Sequence, residues 1–216
     1  MRLKLRMLVS LFISVVPWNT ARVVFHRLIN RYKIAPGARI GLCTILAPDE
    51  AEIGRVTIGM FNVFRGPFAL HIEDGVRIGW SNVFECLLDI TDDRYDPGLF
   101  QRYCRIGENA TITEKHFFDA TAGLEIGQNS WIAGRDSQFW THGAETAGTI
   151  VVGSDCYVGS AVRFIPKSGV GNHCLVGVGS VVTHRFDREY VVIGGMPARV
   201  IKENYDWRTH GSPETK

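Results

Sequence analysis

The side chains best suited to proton transfer in this chain of 216 residues are its seven histidines. Histidine has an unperturbed pKa close to neutral, so it can take a proton from a hydroxyl group at physiological pH. Two histidines lie near the middle of the chain, His116 within residues 113–119 and His142 within residues 141–143. A zinc site needs several convergent ligands, and no close pair of histidines occurs between these two positions. The spacing therefore favours proton transfer by a single histidine.

The five cysteines form neither a disulfide framework nor a zinc-binding pattern. They are odd in number and include no C-x-x-C pair: Cys43, Cys86, Cys104, Cys156 and Cys174. Reduced thiols in a cytosolic protein explain this distribution best. The chain is 45% apolar and 21% charged, which excludes a disordered protein. Its net charge of +2 gives no reason to expect a nucleic acid partner.

The elements that must position these histidines repeat every six residues. An unbroken series of apolar residues six apart runs through Val152, Val158, Phe164, Val170, Val176 and Val182. This period matches neither an α-helix nor simple strand alternation. It predicts a triangular solenoid in which three short strands form one coil of about 18 residues. The recurring aliphatic points inward, and the glycine that often follows it is expected to permit a tight corner.

Two interruptions of the repeat predict loops on the binding face. Residues 92–105 separate the run that ends at Ile90 from the run that begins at Ile106. Residues 143–149 directly follow His142 and precede the most regular coils.

The first 39 residues differ from the rest in charge. They contain eight basic residues and no acidic residue, whereas the other 177 residues, with 16 basic and 22 acidic residues, carry −6. Apolar residues recur at helical spacing in this segment: Phe25, Leu28, Ile29 and Tyr32. The arginines occupy other faces, so residues 1–35 could form a basic amphipathic helix lying on a membrane. A helix packed across the end of the solenoid is the alternative.

The early apolar run also imitates a signal peptide. Residues 7–16 follow three basic residues, but they number only ten and no small-x-small cleavage site comes after them. About 20 apolar residues are needed to span a bilayer. We therefore expect a cytoplasmic protein, located at the inner face of the membrane if the N-terminal arm binds lipid.

Three stretches resemble a known group of enzymes. Residues 179–183 read GSVVT, residues 192–201 read VIGGMPARVI, and Thr141-His142-Gly143 lies just before the second interruption. In this order they resemble the hexapeptide-repeat acyltransferases, and within them the galactoside, maltose and polysaccharide O-acetyltransferases. The resemblance extends from about Ile40 to Glu203.

The resemblance implies an all-β fold, a left-handed parallel β-helix solenoid of hexapeptide repeats. The expected organisation is a helical arm over residues 1–39, an acyltransferase domain over 40–203 and a short C-terminal segment over 204–216. It also implies a homotrimer that binds acetyl-CoA in the cleft between neighbouring solenoids and requires no metal. The acceptor implied is a sugar hydroxyl, in a surface polysaccharide or another glycan.

The resemblance places the catalytic histidine of the family at His142. It would act as general base, removing the proton of the acceptor hydroxyl while that oxygen attacks the thioester carbonyl. Asp119 and Glu145 are candidates to orient its imidazole, and a backbone carbonyl would serve equally well. His116 is a candidate to contact the acceptor, with a plain surface residue as the alternative. Trp140 could stack on a sugar ring, with packing in the core or in a trimer interface as the alternative.

The acetyl-CoA site is also implied by the resemblance. Its expected residues are Ser160, Val178 and Thr183 for backbone contacts, Pro197 and Ala198 for the adenine, and Arg199 and Lys202 for the phosphates. A backbone N–H at the Gly159-Ser160 corner is expected to stabilise the tetrahedral oxyanion. His184-Arg185 stands where the family commonly has Lys-Asp, and His184 and Arg185 are the alternatives for the phosphate contacts.

Two other functions remain as alternatives. A zinc-dependent hydratase of the γ-carbonic-anhydrase type has the same solenoid but needs three convergent histidine ligands. A non-catalytic solenoid could act as an interaction scaffold, although the position of Thr141-His142-Gly143 argues for chemistry.

Overall fold

Parallel strands wound into a left-handed triangular coil make up most of the molecule. The computed structural model describes residues 3–88, 90, 96 and 98–209. Within these residues two α-helices precede the strands, which form one sheet of 9 strands and one of 13. The predicted all-β solenoid is confirmed.

The helices and strands are distributed over an N-terminal arm and three faces. The arm contains α1 (Leu3–Ser14) and α2 (Asn19–Leu28). The first face contains β2 (Arg39–Ile40), β4 (Thr57–Ile58), β6 (Arg77–Ile78), β9 (Thr111–Ile112), β12 (Trp131–Ile132), β15 (Tyr157–Val158), β18 (Leu175–Val176), β21 (Val192–Gly195) and the antiparallel β22 (Ala198–Lys202). The second face contains the start of β3 (Ile45–Ile53) and of β5 (Val63–Ile72), then β7 (Val83–Glu85), β10 (Phe117–Asp119), β13 (Gln138–Phe139), β16 (Arg163–Phe164) and β19 (Val181–Val182). The third face contains β1 (Lys33–Ile34), the ends of β3 and β5, β8 (Tyr103–Ile106), β11 (Leu124–Ile126), β14 (Ile150–Val152), β17 (Gly169–Val170) and β20 (Arg185–Phe186).

The faces meet along edges formed by the turns between strands. The first and second faces meet along the turns that include Ser160, here named the Ser160 edge. The second and third faces meet along the turns that include His142, here named the His142 edge. Because β3 and β5 bend around the His142 edge, the second and third faces form one continuous sheet.

The predicted six-residue series is the core of the solenoid. Each of its six members, from Val152 to Val182, is almost completely buried. On the second face the core is a stack of phenylalanine rings, Phe64, Phe84, Phe118, Phe139 and Phe164, with successive ring centroids 4.4 to 4.8 Å apart. This stack fixes the strands that end at the His142 edge.

The glycine after each inward aliphatic has a different role from the one expected. Gly127 and Gly153 are not among the residues with positive φ, which in their turns are Asn129 and Asp155, at φ 57° and 56°. A Cβ on Gly127 would lie 2.5 Å from the carbonyl carbon of Gly153 in the next coil. These glycines therefore allow successive coils to approach closely, while asparagine and aspartate adopt the left-handed corner conformation.

Both predicted interruptions occur at the His142 edge. The chain leaves the second face after Glu85 and rejoins the third at Tyr103, so the first loop is earlier than the expected residues 92–105. Residues 103–105 belong to β8, and residues 92–95 and 97 lie outside the described residues. The second loop, between β13 and β14, includes the expected residues 143–149.

The N-terminal arm packs across the open end of the solenoid. In these parallel ladders alternate residues pair with the next coil, as Gly41 N does with Ile58 O at 2.7 Å, so the other N–H and C=O groups of the first coil have no neighbouring coil to pair with. The arm supplies partners for them, and Asn19 Oδ1 accepts from Ile40 N at 2.9 Å. Arg22 donates from Nε to Ile40 O at 3.1 Å and Arg27 from Nε to Ile34 O at 2.9 Å. Buried carbonyls require such partners, and arginine is a donor without acceptor capacity.

The arm packs on the solenoid through a polar side, and the apolar residues of the expected amphipathic helix lie on its outer side. Arg22 is buried against the solenoid, whereas Phe25, Leu28 and Ile29 are exposed. Arg6 is also buried, with Nε donating to Ala47 O at 3.2 Å. The structure shows the arm packed across the end of the solenoid. Three of its basic side chains, Arg6, Arg22 and Arg27, serve there as hydrogen-bond donors.

The C-terminal segment folds back along the side of the solenoid, where the rings of Trp207 and Tyr157 are 5.3 Å apart. After β22, Trp207 Nε1 donates to Asp155 O at 2.7 Å, which ties the short 3-10 helix (Trp207–Thr209) to the first face. Of the expected segment 204–216, residues 210–216 lie outside the described residues. Across the part of the chain that is described, no helix is long and apolar enough to cross a membrane.

Candidate active site

His142 lies on the loop that leaves the second face after β13. The buried ring of Phe139 anchors the end of that strand, and Trp140 and Thr141 lead into the loop. The loop closes on itself, with a hydrogen bond from Gly143 N to Thr146 O at 2.7 Å. A rigid strand end and a short closed loop thus present the imidazole at the edge.

Asp119, at the end of the neighbouring strand β10, holds that imidazole. His142 Nδ1 lies 2.6 Å from Asp119 Oδ2, and the backbone N–H of His142 donates to the same oxygen at 3.0 Å. A carboxylate can only accept, so Nδ1 carries the proton and Nε2 keeps its lone pair. The side chain of Asp119 is 2% exposed and that of His142 is 28% exposed. The imidazole is therefore accessible while its carboxylate partner is not.

The carboxylate of Asp119 is itself fixed by neighbouring groups. Thr141 donates to Oδ2 twice, from its backbone N at 2.9 Å and from Oγ1 at 2.7 Å. Thr121 donates from its backbone N to Oδ1 at 2.9 Å. Burial raises the pKa of Asp119, but the hydrogen bonds from His142, Thr121 and Thr141 outweigh it and leave that pKa below its ordinary value. The carboxylate stays ionised.

The pKa of His142 is raised above its ordinary value. The main cause is the hydrogen bond to the Asp119 side chain, burial opposes it, and the charges of Asp119 and Glu85 add to the rise. A raised pKa makes the imidazole a stronger base. Only its neutral form can accept a proton, so its capacity as a base increases as pH rises through that pKa.

Charged and aromatic side chains lie next to this pair. Register places Arg65, Glu85 and Asp119 in one column, and Arg65 Nε donates to Glu85 Oε2 at 2.9 Å. Trp140, 40% exposed, contacts the ring of Phe117 with centroids 4.4 Å apart. Sequence reasoning missed Arg65 and Glu85. The signal that finds them is that each directly follows a buried phenylalanine of the stack, as Asp119 does.

The position of His116 does not favour the expected contact with the acceptor. His116 is buried on the Ser160 edge, away from His142, and its Nδ1 accepts from Ser137 N at 3.1 Å while Nε2 lies 3.1 Å from Thr113 Oγ1. Its backbone N donates to Asn82 Oδ1 at 2.9 Å. Burial lowers the pKa of His116 to about 4. His116 therefore belongs to a polar column inside the corner and is a structural residue.

The two candidates to orient the imidazole differ in position. Asp119 contacts it directly, as described above. Glu145 lies at the exposed tip of the loop, among residues 143–146. The structure thus favours Asp119 as the orienting residue.

Four of the seven expected acetyl-CoA residues lie on the Ser160 edge. Ser160 and Val178 occupy successive turns of the Ser160 edge, and the carbonyl of Ser160 accepts from the N–H of Gly179 at 2.9 Å. Val178 is exposed, and the β21–β22 hairpin with Pro197 and Ala198 continues the same edge. These four residues come together, but on a different edge from His142.

Three other residues of that set are divided between positions. Arg199 is exposed and lies near the tip of the hairpin, close to the Ser160 edge. Lys202 lies at the far end of β22, with Nζ 4.3 Å from the centroid of the Tyr205 ring. Thr183 follows β19 and lies on the His142 edge. A ligand along the Ser160 edge of one chain would meet Arg199 but neither Lys202 nor Thr183 of that chain.

Among the described residues, no three His, Cys, Asp or Glu side chains are grouped so as to hold a metal ion.

Known proteins are similar to this chain in sequence and in fold. The sequence matches no protein-family model. A chloramphenicol acetyltransferase from Klebsiella aerogenes is 33% identical over 170 residues, an alignment that covers 74% of this chain and 73% of the relative. The chain belongs to the hexapeptide-repeat acyltransferases. A second chloramphenicol acetyltransferase, from Agrobacterium fabrum (strain C58), is 26% identical over 172 residues, covering 75% of this chain and 74% of the relative.

Solved acyltransferases have the same architecture. The polysialic acid O-acetyltransferase OatWY is similar with a TM-score of 0.59 and 19% identity, over 82% of this chain and 86% of that one. An Arabidopsis UDP-N-acetylglucosamine acyltransferase has a TM-score of 0.51 and 19% sequence identity, over 83% of this chain and 67% of that one. At this identity the likeness concerns the fold alone. This hexapeptide-repeat protein is thus an acyltransferase built on a left-handed β-helix.

Proposed function

We propose that this acyltransferase transfers an acetyl group from acetyl-CoA to a sugar hydroxyl, with His142 as general base. The observation that carries the proposal is the 2.6 Å contact between His142 Nδ1 and the buried carboxylate of Asp119. It leaves Nε2 as the free nitrogen of an accessible imidazole whose pKa is raised. Asp119 is then a positioning residue, because it acts through His142.

The reaction needs no covalent enzyme intermediate. The acceptor hydroxyl gives its proton to Nε2 of His142 while its oxygen attacks the thioester carbonyl carbon. The resulting tetrahedral oxyanion collapses and the carbon–sulfur bond breaks. The coenzyme A thiolate that leaves then takes the proton from His142. The products are an acetyl ester and free thiol. Such a base is typically worth ~10²–10⁴ in rate.

A second copy of the chain would complete the site. The N–H of Gly159 already donates to Val176 O at 2.9 Å, which leaves the N–H of Ser160 as the proposed oxyanion donor of that corner. Ser160 and His142 lie on different edges of one solenoid. A homotrimer, with the His142 edge of one copy facing the Ser160 edge of the next, brings both to one cleft. In that cleft Ser160, Val178, Pro197 and Ala198 contact acetyl-CoA and Arg199 contacts its phosphates.

The surroundings of His142 support a polar acceptor. The exposed ring of Trp140 offers a surface for the face of a sugar, and Glu85 and Arg65 offer partners for its hydroxyls. Glu145 lies exposed on the same loop. The polysialic acid O-acetyltransferase that shares the fold acts on such an acceptor. Because the most identical of the relatives above is a chloramphenicol acetyltransferase, a chloramphenicol hydroxyl is the second candidate.

Thiol release from acetyl-CoA tests the proposal and separates the two acceptors. The purified chain is incubated with acetyl-CoA and either a panel of oligosaccharides, including sialic acid oligomers, or chloramphenicol. We expect a glycan to stimulate thiol release and to gain one acetyl ester by mass spectrometry. Stimulation by chloramphenicol but by no glycan would replace the sugar with the second candidate. Acetylation of an amino group would contradict O-acetyl transfer.

A further inference from the structure

The arm carries an apolar surface that none of the described residues covers. Ten large apolar side chains with exposed fractions of 37% to 72% form this surface, here named the outer face of the arm: Leu5, Leu8, Leu11, Phe12, Val15, Trp18, Val24, Phe25, Leu28 and Ile29. A helix on a water-soluble domain normally turns its apolar side toward the core. An exposed apolar patch of this extent marks a surface with a partner.

Hydrogen bonds fix this orientation of the helices. The side of α1 that faces the solenoid includes Arg6, Ser10 and Ser14, and Ser10 Oγ donates to Leu46 O at 2.6 Å. On α2, the buried Arg22 donates from Nη2 to Ile40 O at 2.6 Å. Rotating either helix to bury its apolar side would leave these carbonyls unpaired. The outer face is therefore a stable feature of the fold.

Charge indicates the kind of partner. No acidic residue precedes Asp49 in the chain, and the exposed cations Lys4 and Arg31 adjoin the outer face. A second copy meeting this face with its own would bring two positive arms together. An anionic surface would be attracted, and basic residues near such a membrane favour binding.

We propose that the outer face of the arm docks the protein onto an anionic lipid surface. At 12 and 10 residues, α1 and α2 are shorter than the ~20 needed to span a bilayer, so both would lie in the interface. Trp18, 72% exposed between the helices, suits the headgroup region. The site is separate from His142, and the proposal holds whichever acceptor the enzyme uses.

Co-sedimentation with vesicles tests the docking. The full chain is mixed with vesicles of phosphatidylglycerol and phosphatidylcholine, and separately with phosphatidylcholine alone. We expect binding to the anionic vesicles that weakens with added salt. The double variant Leu8→Asp, Phe12→Asp should bind at least about 10-fold more weakly, because it loses two apolar contacts and adds two negative charges.

Ile201→Asp is the matched control, since Ile201 on β22 and Phe12 are both 66% exposed. It introduces one of the two negative charges far from the arm and should leave vesicle binding unchanged. Circular dichroism and acetyl transfer to a soluble acceptor confirm that the double variant is folded.

Two results would overturn the proposal. One is equal vesicle binding by the wild-type chain and the double variant. The other is a wild-type chain that ignores anionic vesicles but forms assemblies larger than those of the double variant, by light scattering, which would assign the outer face to contacts between copies.

Discussion

Replacing Asp119 with asparagine should lower kcat/KM far more than the same replacement of an exposed aspartate does. The substitution removes the charge-assisted hydrogen bond to His142 Nδ1, which is 2.6 Å long and almost completely buried on the Asp119 side. A hydrogen bond to a charged group is worth ~1.5–3 kcal/mol, or about 10- to 150-fold in rate. If the asparagine amide turns its NH₂ toward the imidazole, it also stabilises the wrong tautomer. An Asp→Asn change of that kind in a serine protease triad costs about 10⁴.

The same substitution changes the pH profile. The hydrogen bond to Asp119 is the main cause of the raised pKa of His142. Without it that pKa falls, so the acid limb of kcat/KM should move to lower pH even as the plateau drops. A purely structural loss would lower the plateau without moving the limb. The assay is thiol release from acetyl-CoA at saturating donor, measured across pH.

Asp74→Asn is the control for this experiment. Asp74 is an exposed carboxylate that pairs with Arg55, Nη2 to Oδ2 at 3.2 Å, in the early coils away from His142. It makes the same change of charge and should leave both the plateau and the limb in place. An Asp119→Asn variant that is folded and shows wild-type kcat/KM with an unshifted limb would refute the positioning role.

Three further predictions concern the wild-type profile, the subunit arrangement and the arm. The acid limb of wild-type kcat/KM should have its midpoint above the ordinary histidine value of about 6.5, because the pKa of His142 is raised and only the neutral imidazole accepts a proton; a midpoint below that value would contradict it. His142→Ala and Ser160→Trp chains should each be inactive alone but, refolded together, regain about a quarter of the wild-type sites, since each site takes one edge from each of two copies; no recovery would place the site within one chain. Arg22→Met should lower the free energy of unfolding by ~1–3 kcal/mol in denaturant titration, because the buried carbonyl of Ile40 loses its donors; an unchanged midpoint would show that water replaces them.

The solenoid could be predicted from the sequence because its rule is local and repeats. One inward aliphatic every six residues survives insertion of loops, so the series from Val152 to Val182 identifies the fold. The same rule contained an unused signal about His116. It stands four residues after the buried Ile112, the spacing that places Val162 and Ser180 inside the corner. Its burial was therefore readable from the repeat.

The contact between Asp119 and His142 was only partly predictable. They are neighbours because Phe118 pairs with Phe139 in adjacent coils, 21 residues apart in sequence rather than 18. Insertions change the length of each coil, so spacing alone could not choose between Asp119 and Glu145. The register between β10 and β13 places Asp119, and not Glu145, beside the imidazole of His142.

The orientation of the arm could not be predicted from amphipathicity. The usual rule turns apolar residues inward because the core is apolar. Here the helices cover the end of a β-helix, which presents backbone N–H and C=O groups without strand partners, and so Arg22 and Arg27 face inward as donors and Asn19 as an acceptor. That hydrogen-bonding demand is a property of the finished solenoid. In the arm it leaves polar residues at helical spacing, Arg6, Ser10 and Ser14, which the usual rule assigns to the exposed side.

The most direct test of the proposed mechanism is acetyl transfer by His142→Ala, measured as acetyl ester formed on the acceptor. His142 is partly exposed and lies outside the core, so the variant should keep the wild-type melting curve and the wild-type oligomeric mass. We expect turnover to fall by ~10²–10⁴ while acetyl-CoA binding is retained. A folded variant that forms the ester at a near-normal rate would contradict the assignment of His142 as the base.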